Sequence, residues 1–247
     1  MTLQEFFHNN PRAALAFSGG ADSAYLLWAA REWAEDVKAY YVHSPFQPAF
    51  ELADARRLAE ELHMPMTVLE ADVLSVPGAA ANGPDRCYHC KTALFTLLKE
   101  AALADGYTLL IDGTNASDDA GDRPGMRALR ELAVRSPLRE CGVTKAEVRT
   151  RSREAGLFTW DKPAYACLAT RVPAGETITA DILARVEGAE DALFRLGYTD
   201  FRVRVFHSAA RLQLPRGQME RAVREAEELR QALKPYFTPI LLDLEGR

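Results

Sequence analysis

The sequence predicts an α/β protein, with a parallel sheet carrying a phosphate-binding loop and a second, smaller α/β domain behind it. Between Ala13 and Leu69 short apolar runs alternate with helical patterns, the order of a βαβαβ unit with parallel strands and right-handed crossovers. A glycine pair, Gly19 and Gly20, stands between the first run and the first helix. From Thr179 the pattern changes to helix, strand, strand, helix, strand, which sets residues 171–247 apart from residues 1–170.

Ala13 to Phe17 reads as a buried strand, and Ala24 to Trp33 places Leu26, Leu27, Ala30 and Trp33 near helical spacing. Between them runs Ser18-Gly19-Gly20-Ala21-Asp22-Ser23. Glycine permits positive φ and close ligand approach, and Asp22 or Ser23 can start the next helix, whose free N–H groups and dipole attract anions. The stretch has neither the lysine of a Walker loop nor a G-x-G-x-x-G spacing. It matches S-G-G-x-D-S, which resembles the pyrophosphate loop of the ATP pyrophosphatases, enzymes that split ATP into AMP and pyrophosphate and activate substrates as adenylates. An ordinary glycine-bearing strand-to-helix turn is the alternative.

Val37 to His43 is the second strand, Phe50 to Leu62 a helix with Leu52, Ala55, Leu58, Ala59 and Leu62 along one side, and Met66 to Leu69 the third strand. Ligands of such sheets bind beyond the carboxyl ends of the strands. His43 and Ser44 close the second strand there, where the adenosine half of a nucleotide is expected; a plain strand-end histidine is the competing reading.

Ala79 to Pro84 reads as a loop, after which Asp85-Arg86-Cys87-Tyr88-His89-Cys90-Lys91 leads into a helix ending near Ala104. Cys87 and Cys90 face one side of that helix start, where the dipole, Arg86 and Lys91 are expected to lower their pKa values toward thiolate. Thiolates bind metals or attack electrophiles. Buried structural thiols and a redox pair are weaker readings, and a four-cysteine zinc site would need a second C-x-x-C that the chain lacks.

Thr108 to Ile111 is the next strand, followed by a polar loop from Asp112 to Asp118 that continues to Arg127, long enough to suggest function. Arg135 to Leu138 ends a short strand, and Thr144-Lys145-Ala146-Glu147 is a capping box opening a helix to Ala155, stopped by Gly156. Trp160 to Arg171 has no clean period and contains Cys167, near Arg171, as a candidate for chemistry or core packing; Cys141 is assigned to packing. Beyond it come a helix (Thr179 to Leu196), strands (Phe201 to Phe206, Arg211 to Leu214), a helix (Gly217 to Lys234) and a strand (Pro239 to Leu244). Arg202 and Arg204 share one strand face, suited to an anion or to solvent.

The bulk numbers set limits. A chain of 247 residues with 48% hydrophobic content can bury a sizeable core, and a net charge of −5 argues against a nucleic-acid partner. Met1 to Asn10 lacks the features of a secretion signal and no apolar run approaches a membrane span, so a cytoplasmic protein without membrane contact is expected. In that compartment 4 cysteines suggest metal or catalytic chemistry more than disulfides.

Taken in order, the loop Ser18–Ser23, the Asp85–Lys91 stretch, Asp112-Gly113-Thr114-Asn115, Arg123-Pro124-Gly125, Trp160-Asp161-Lys162-Pro163, Cys167-Leu168-Ala169-Thr170-Arg171 and Arg202-Val203-Arg204 resemble the LarE family over nearly the whole chain. These are ATP-dependent sulfur transferases of nickel-pincer nucleotide biosynthesis with a Rossmann-like PP-loop domain. The resemblance implies adenylation of a carboxylate of pyridinium-3,5-biscarboxylic acid mononucleotide, release of pyrophosphate, and sulfur delivery to give a thiocarboxylate and AMP. It implies ATP and Mg²⁺ at Ser18, Gly19, Gly20, Asp22, Ser23, His43, Gly113 and Arg123, sulfur delivery at Cys167, and substrate phosphate at Arg202, Arg204 and Arg171. Members consume one cysteine or hold a [4Fe-4S] cluster on three; Cys87, Cys90 and Cys167 match the trio, so the cluster form is expected, with sulfide or another sulfur donor and a homo-oligomeric state. Thr170 stands where the family more often has serine, and Gln213 where a carboxylate is expected, which weighs against a metal ligand there. The competing functions are another PP-loop enzyme, such as a tRNA thiolase or an amidating ligase, and a non-catalytic nucleotide- or iron-binding sensor.

Overall fold

A computed structural model describes residues 1–118 and 124–247. After α1 (Leu3–Asn9), the chain alternates β1 (Arg12–Ala16), α2 (Ala21–Trp33), β2 (Asp36–His43), α3 (Ala49–Glu61) and β3 (Met66–Glu70). A short α4 (Pro77–Ala80) and the long α5 (Arg86–Ala104) lead back to β4 (Leu110–Asp112). These strands form a parallel sheet in the order β3-β2-β1-β4. The order reverses beside β1, so the carboxyl ends of β1 and β4 diverge into a crevice, the usual ligand position of an open α/β sheet.

Strand alternation assigns the faces. Ala13, Leu15, Ala39 and Tyr41 pack with α2 and α3 on one side, whereas Ala14 and Tyr40 pack with Leu98 and Ala102 of α5 on the other. Both sides of the sheet are therefore covered, as parallel sheets require.

Next come α6 (Pro124–Glu131), α7 (Pro137–Glu140) and α8 (Lys145–Glu154). The expected capping box is present, with the Thr144 hydroxyl accepting from Glu147 N and the Glu147 carboxylate accepting from Thr144 N. Gly156 takes the expected positive φ of +71°. An irregular stretch ends in a 3₁₀ turn at Leu168–Arg171, and α9 (Ala180–Arg195) starts a second layer. There β5 (Arg202–Phe206) pairs antiparallel with β6 (Ala209–Gln213), which pairs parallel with β7 (Ile240–Leu242), while α10 (Arg216–Arg224) and α11 (Ala226–Leu233) connect them. Its core, around Val203, Leu212 and Leu193, also takes in Phe46, Val73, Ala79 and Leu94 of the first part of the chain.

Some sequence expectations need correction. The fourth strand starts at Leu110 and not at Thr108, because its register is set by pairing with Ala14 to Ala16. The long polar loop ends earlier than Arg127, since Pro124 opens α6 with its φ already suited to a helix. Arg135 forms an isolated bridge to Ile111 in place of a strand, and Pro137 starts α7. The single helix expected from Gly217 to Lys234 is interrupted at Glu225, with φ −94° and ψ 17°. Among the described residues no helix is long and apolar enough to cross a membrane.

Candidate functional site

A cavity of about 430 Å³ opens at the crevice beyond β1 and β4. Ser18, Gly20, Asp22 and Ser23 line it from the loop after β1, Asp112, Gly113 and Thr114 from β4, and Arg86, Cys87, Cys90 and Lys91 from the start of α5. Cys167 completes the wall. The structure thus brings the glycine loop and the three cysteines into one space, although they come from three separate parts of the chain.

The loop owes its shape to two glycines. Gly19 has φ +70°, and a Cβ there would also crowd Ala55 Cβ and Glu51 O, each at 3.1 Å. At Gly113 a Cβ would lie 2.8 Å from Ser23 N, so only glycine lets the β4 exit close on the start of α2. The helix begins at Ala21 with Gly20 as its cap and no side-chain cap, which corrects the expectation that Asp22 or Ser23 starts it. Ser23 turns instead to the loop, with its hydroxyl 3.0 Å from the Ser18 hydroxyl and 3.3 Å from Ser18 N. The first-turn N–H groups of α2 remain directed at the loop, an arrangement suited to phosphate.

Asp22 is bound by Lys145 Nζ at 2.6 Å and by Asn115 Nδ2 at 3.2 Å. Lys162 reaches the back of the loop, donating to Gly19 O at 3.3 Å and pairing with Asp54 at 2.7 Å. Sequence reasoning missed both lysines as site residues: Lys145 reads only as part of a capping box, and no spacing links Lys162 to a loop so far away. Glu51 and Tyr41 also line the cavity and carried no sequence signal, since each falls on a regular helix or strand pattern.

All four cysteines are free. Arg86 ties Cys87 to the Cys167 segment, donating to Cys87 Sγ at 3.6 Å and to Ala169 O at 3.1 Å. Leu168 N donates to Phe46 O at 2.8 Å, which seats Cys167 against the loop after β2. The expected lowering of thiol pKa does not hold for Cys90: burial pushes it up to about 12, outweighing the opposing charges of Arg86 and Lys91. Burial likewise raises the Cys167 thiol against the pull of Arg86. Cys141 packs at the edge of the α2 core, as expected.

Three thiols line one cavity, and thiolate is the donor type that holds iron and sulfide. Among the described residues, however, no three His, Cys, Asp or Glu side chains converge closely enough to hold a metal ion.

His43 lies off the cavity. Parallel register sets it opposite Glu70, and its Nδ1 lies 2.8 Å from that carboxylate. Arg123 lies outside the described residues. The three arginines form a separate cluster on the second layer. Arg171 is 1% exposed and pairs with buried Glu190 at 2.8 Å, so its guanidinium is engaged within the protein and not free for a phosphate. Arg202 donates to Ala164 O and Phe201 O, and Arg204 to Thr170 O and Gln213 Oε1; neither has an ion-pair partner among the described residues. Gln213 in turn donates to Asp243 at 2.9 Å, a bridging role in place of a metal ligand. Arg202 lines a second cavity with Phe50, Lys162, Tyr165 and Phe194.

No protein-family model matches the chain. An uncharacterized protein of Synechocystis is 40% identical over 99% of this chain and 92% of its own length. The pyridinium-3,5-bisthiocarboxylic acid mononucleotide synthase of Lactiplantibacillus plantarum is 33% identical, covering 99% of this chain and 90% of the relative. An uncharacterized protein of Methanocaldococcus jannaschii is 28% identical over 98% of this chain and 93% of its own.

Proposed function

Because the chain belongs to the LarE family, we propose that it is an ATP-dependent sulfur transferase acting on pyridinium-3,5-biscarboxylic acid mononucleotide. The carboxylate attacks the α-phosphorus of ATP and pyrophosphate leaves; sulfur then attacks the carbonyl carbon of the adenylate, AMP leaves, and a thiocarboxylate results. The observation that supports this reading is that the phosphate loop and the thiols line one cavity.

The N–H groups of the first turn of α2 hold the phosphates and offset charge on the leaving pyrophosphate, while the Ser18 and Gly20 N–H groups donate to the Ser23 and Ser18 hydroxyls and shape the loop. Asp22 would be the protein's ligand to a nucleotide-bound Mg²⁺, a cation usually held by one or two carboxylates together with substrate phosphates. Lys145 and Asn115 fix the Asp22 carboxylate in position. Gly113 keeps the β4 exit low enough for a nucleotide to cross it.

Cys87, Cys90 and Cys167 line one cavity without converging on a common point, so they would have to draw together to hold a [4Fe-4S] cluster, whose contribution would be a transferable sulfide. Arg86, bound to Cys87 and to the Cys167 segment, holds the two halves of that set together. Arg202 and Arg204, positive and without ion-pair partners among the described residues, attract the substrate phosphate, while Arg171 is neutralised by Glu190. In this division residues 1–170 activate the carboxylate and residues 171–247 hold the substrate. Sulfide or another reduced sulfur compound is the donor.

Incubation with ATP, Mg²⁺ and the pyridinium mononucleotide tests the reading. Pyrophosphate, AMP and replacement of oxygen by sulfur in the acceptor are expected. Release with tRNA alone would assign a thiolase, and no release with any acceptor a sensor. For the cluster, iron and sulfide are expected after anaerobic reconstitution, with lower cluster absorbance in Cys87→Ser.

A further inference from the structure

The loop cavity contains two polar groups that neither the phosphate loop nor the thiols use. Tyr41 of β2 is 1% exposed, lines the cavity, and its hydroxyl has no hydrogen-bond partner among the described residues. Buried hydroxyls are rarely left so, because an unmade hydrogen bond retains its full desolvation cost. Glu51, in the first turn of α3, lines the same cavity, and its carboxyl makes no hydrogen bond or ion pair among the described residues.

The surroundings of Glu51 decide its charge. Asp54 faces it from its own helix, Lys162, Tyr165 and Arg171 from the segment after α8, and Tyr41 from β2. Burial is the largest influence, and it outweighs Lys162 and Arg171 to push the Glu51 carboxyl up to about 7. Burial and the charges of Glu51 and Asp54 keep the Tyr41 hydroxyl protonated. Position adds a second argument. The Glu51 backbone oxygen packs 3.1 Å from where a Gly19 Cβ would lie, and neighbouring Phe50 meets Tyr165 edge to face at 5.0 Å, so the start of α3 is wedged between the phosphate loop and the Tyr165 segment, and Glu51 lines the cavity there with Ser18, Gly20 and Cys167.

We propose that Tyr41 and Glu51 form a two-donor recess of the loop cavity that receives an anionic oxygen of a bound reactant, a nucleotide phosphate or an acceptor carboxylate, with the Glu51 carboxyl donating its own proton. The identity of the two reactants rests on the sulfur-transferase reading; the recess itself rests on the cavity. An anion seated there stabilises the protonated carboxyl, so binding takes up a proton. Affinity therefore holds at low pH and falls by up to about tenfold per pH unit above the carboxyl's value of about 7.

Calorimetric titration of the full chain tests this, with MgATP in one arm and pyridine-3,5-dicarboxylate in the other, in buffers of different ionisation enthalpy across about pH 6 to 9. Comparison with variants removes the titration of the probes themselves. One probe is expected to bind wild type with proton uptake, and which one identifies the source of the oxygen. For that probe, Glu51→Gln, which keeps a donor but cannot titrate, flattens the pH dependence. Tyr41→Phe weakens binding about five- to tenfold at every pH and leaves the slope unchanged. If both variants, folded by circular dichroism, bind both probes as wild type does, the recess is overturned. Absence of pyrophosphate release with every acceptor would remove the transferase reading and leave the recess standing, so the two failures are distinguishable.

Discussion

The loop cavity and the arginine cluster present the same kind of raw material, charged side chains and backbone donors, arranged in opposite ways. At the loop, Gly20 caps α2 without a side chain and Gly113 keeps the β4 exit clear of Ser23, so donors stay directed at open space. In the cluster, Arg171 closes on Glu190 in a pair whose side chains are 0% and 2% exposed, and Arg202 and Arg204 are tied to carbonyl oxygens. The contrast teaches that residue type identifies a possible ligand, whereas the partners already present decide whether a group is free to meet it. One region is built to receive, and the other is built first to hold the layer together.

That contrast can be broken by substitution. Glu190→Ala should have the largest effect. It strands a buried guanidinium and also removes acceptors used by Val203 N and Tyr165, so a loss of about 3–5 kcal/mol is expected, read by denaturant unfolding. A change below 1 kcal/mol, on the order of a surface pair, would show that the pair is solvated. Asp22→Ala should do the reverse, lowering pyrophosphate release about a hundredfold while leaving the unfolding midpoint near that of wild type. Equal losses of stability and activity in both variants would erase the distinction between the regions.

Two smaller effects sharpen it. With burial raising its thiol from 9.0 to about 12, Cys90 should be alkylated slowly near neutral pH in the apo protein, with a rate that climbs about tenfold per pH unit. Fast modification that is independent of pH would mean a thiolate already formed. Thr144→Ala removes the capping box of α8 and should cost about 1 kcal/mol. Because α8 carries Lys145 to Asp22, a modest rise in the ATP concentration needed for half-maximal release should accompany it.

Much of the fold was legible because its signals are local. The alternation of apolar run and helical stripe marked the βαβαβ succession and the parallel strands of the first sheet, and Thr144 with Glu147 marked a helix start that the structure reproduces. Signals that depend on tertiary pairing were not legible. The register of β4 against β1 moved that strand toward Asp112, and Arg135 reached only one bridge. At the site, the glycine loop and the cysteines stand out by composition, and the structure adds that they share a cavity. Electrostatics misled the sequence reading at Cys90, because flanking Arg86 and Lys91 are visible in a sequence and burial is not. His43 closes β2 as expected, and what the sequence does not show is its partner: Glu70 is remote in sequence and adjacent in the sheet. Lys145, Lys162, Tyr41 and Glu51 reach the loop only through the packing of α8, the irregular stretch, β2 and α3 around it.

The central claim is that one cavity both activates a carboxylate and supplies sulfur to it. The most direct measurement is the first-turnover product of Cys167→Ser with ATP, Mg²⁺ and pyridinium-3,5-biscarboxylic acid mononucleotide, followed by mass spectrometry and pyrophosphate detection. The predicted result is pyrophosphate release close to that of wild type, with adenylate or AMP formed and no thiocarboxylate. Thiocarboxylate produced at the wild-type level by Cys167→Ser would contradict the account, because sulfur would then reach the adenylate without the thiol that the fold places beside the loop.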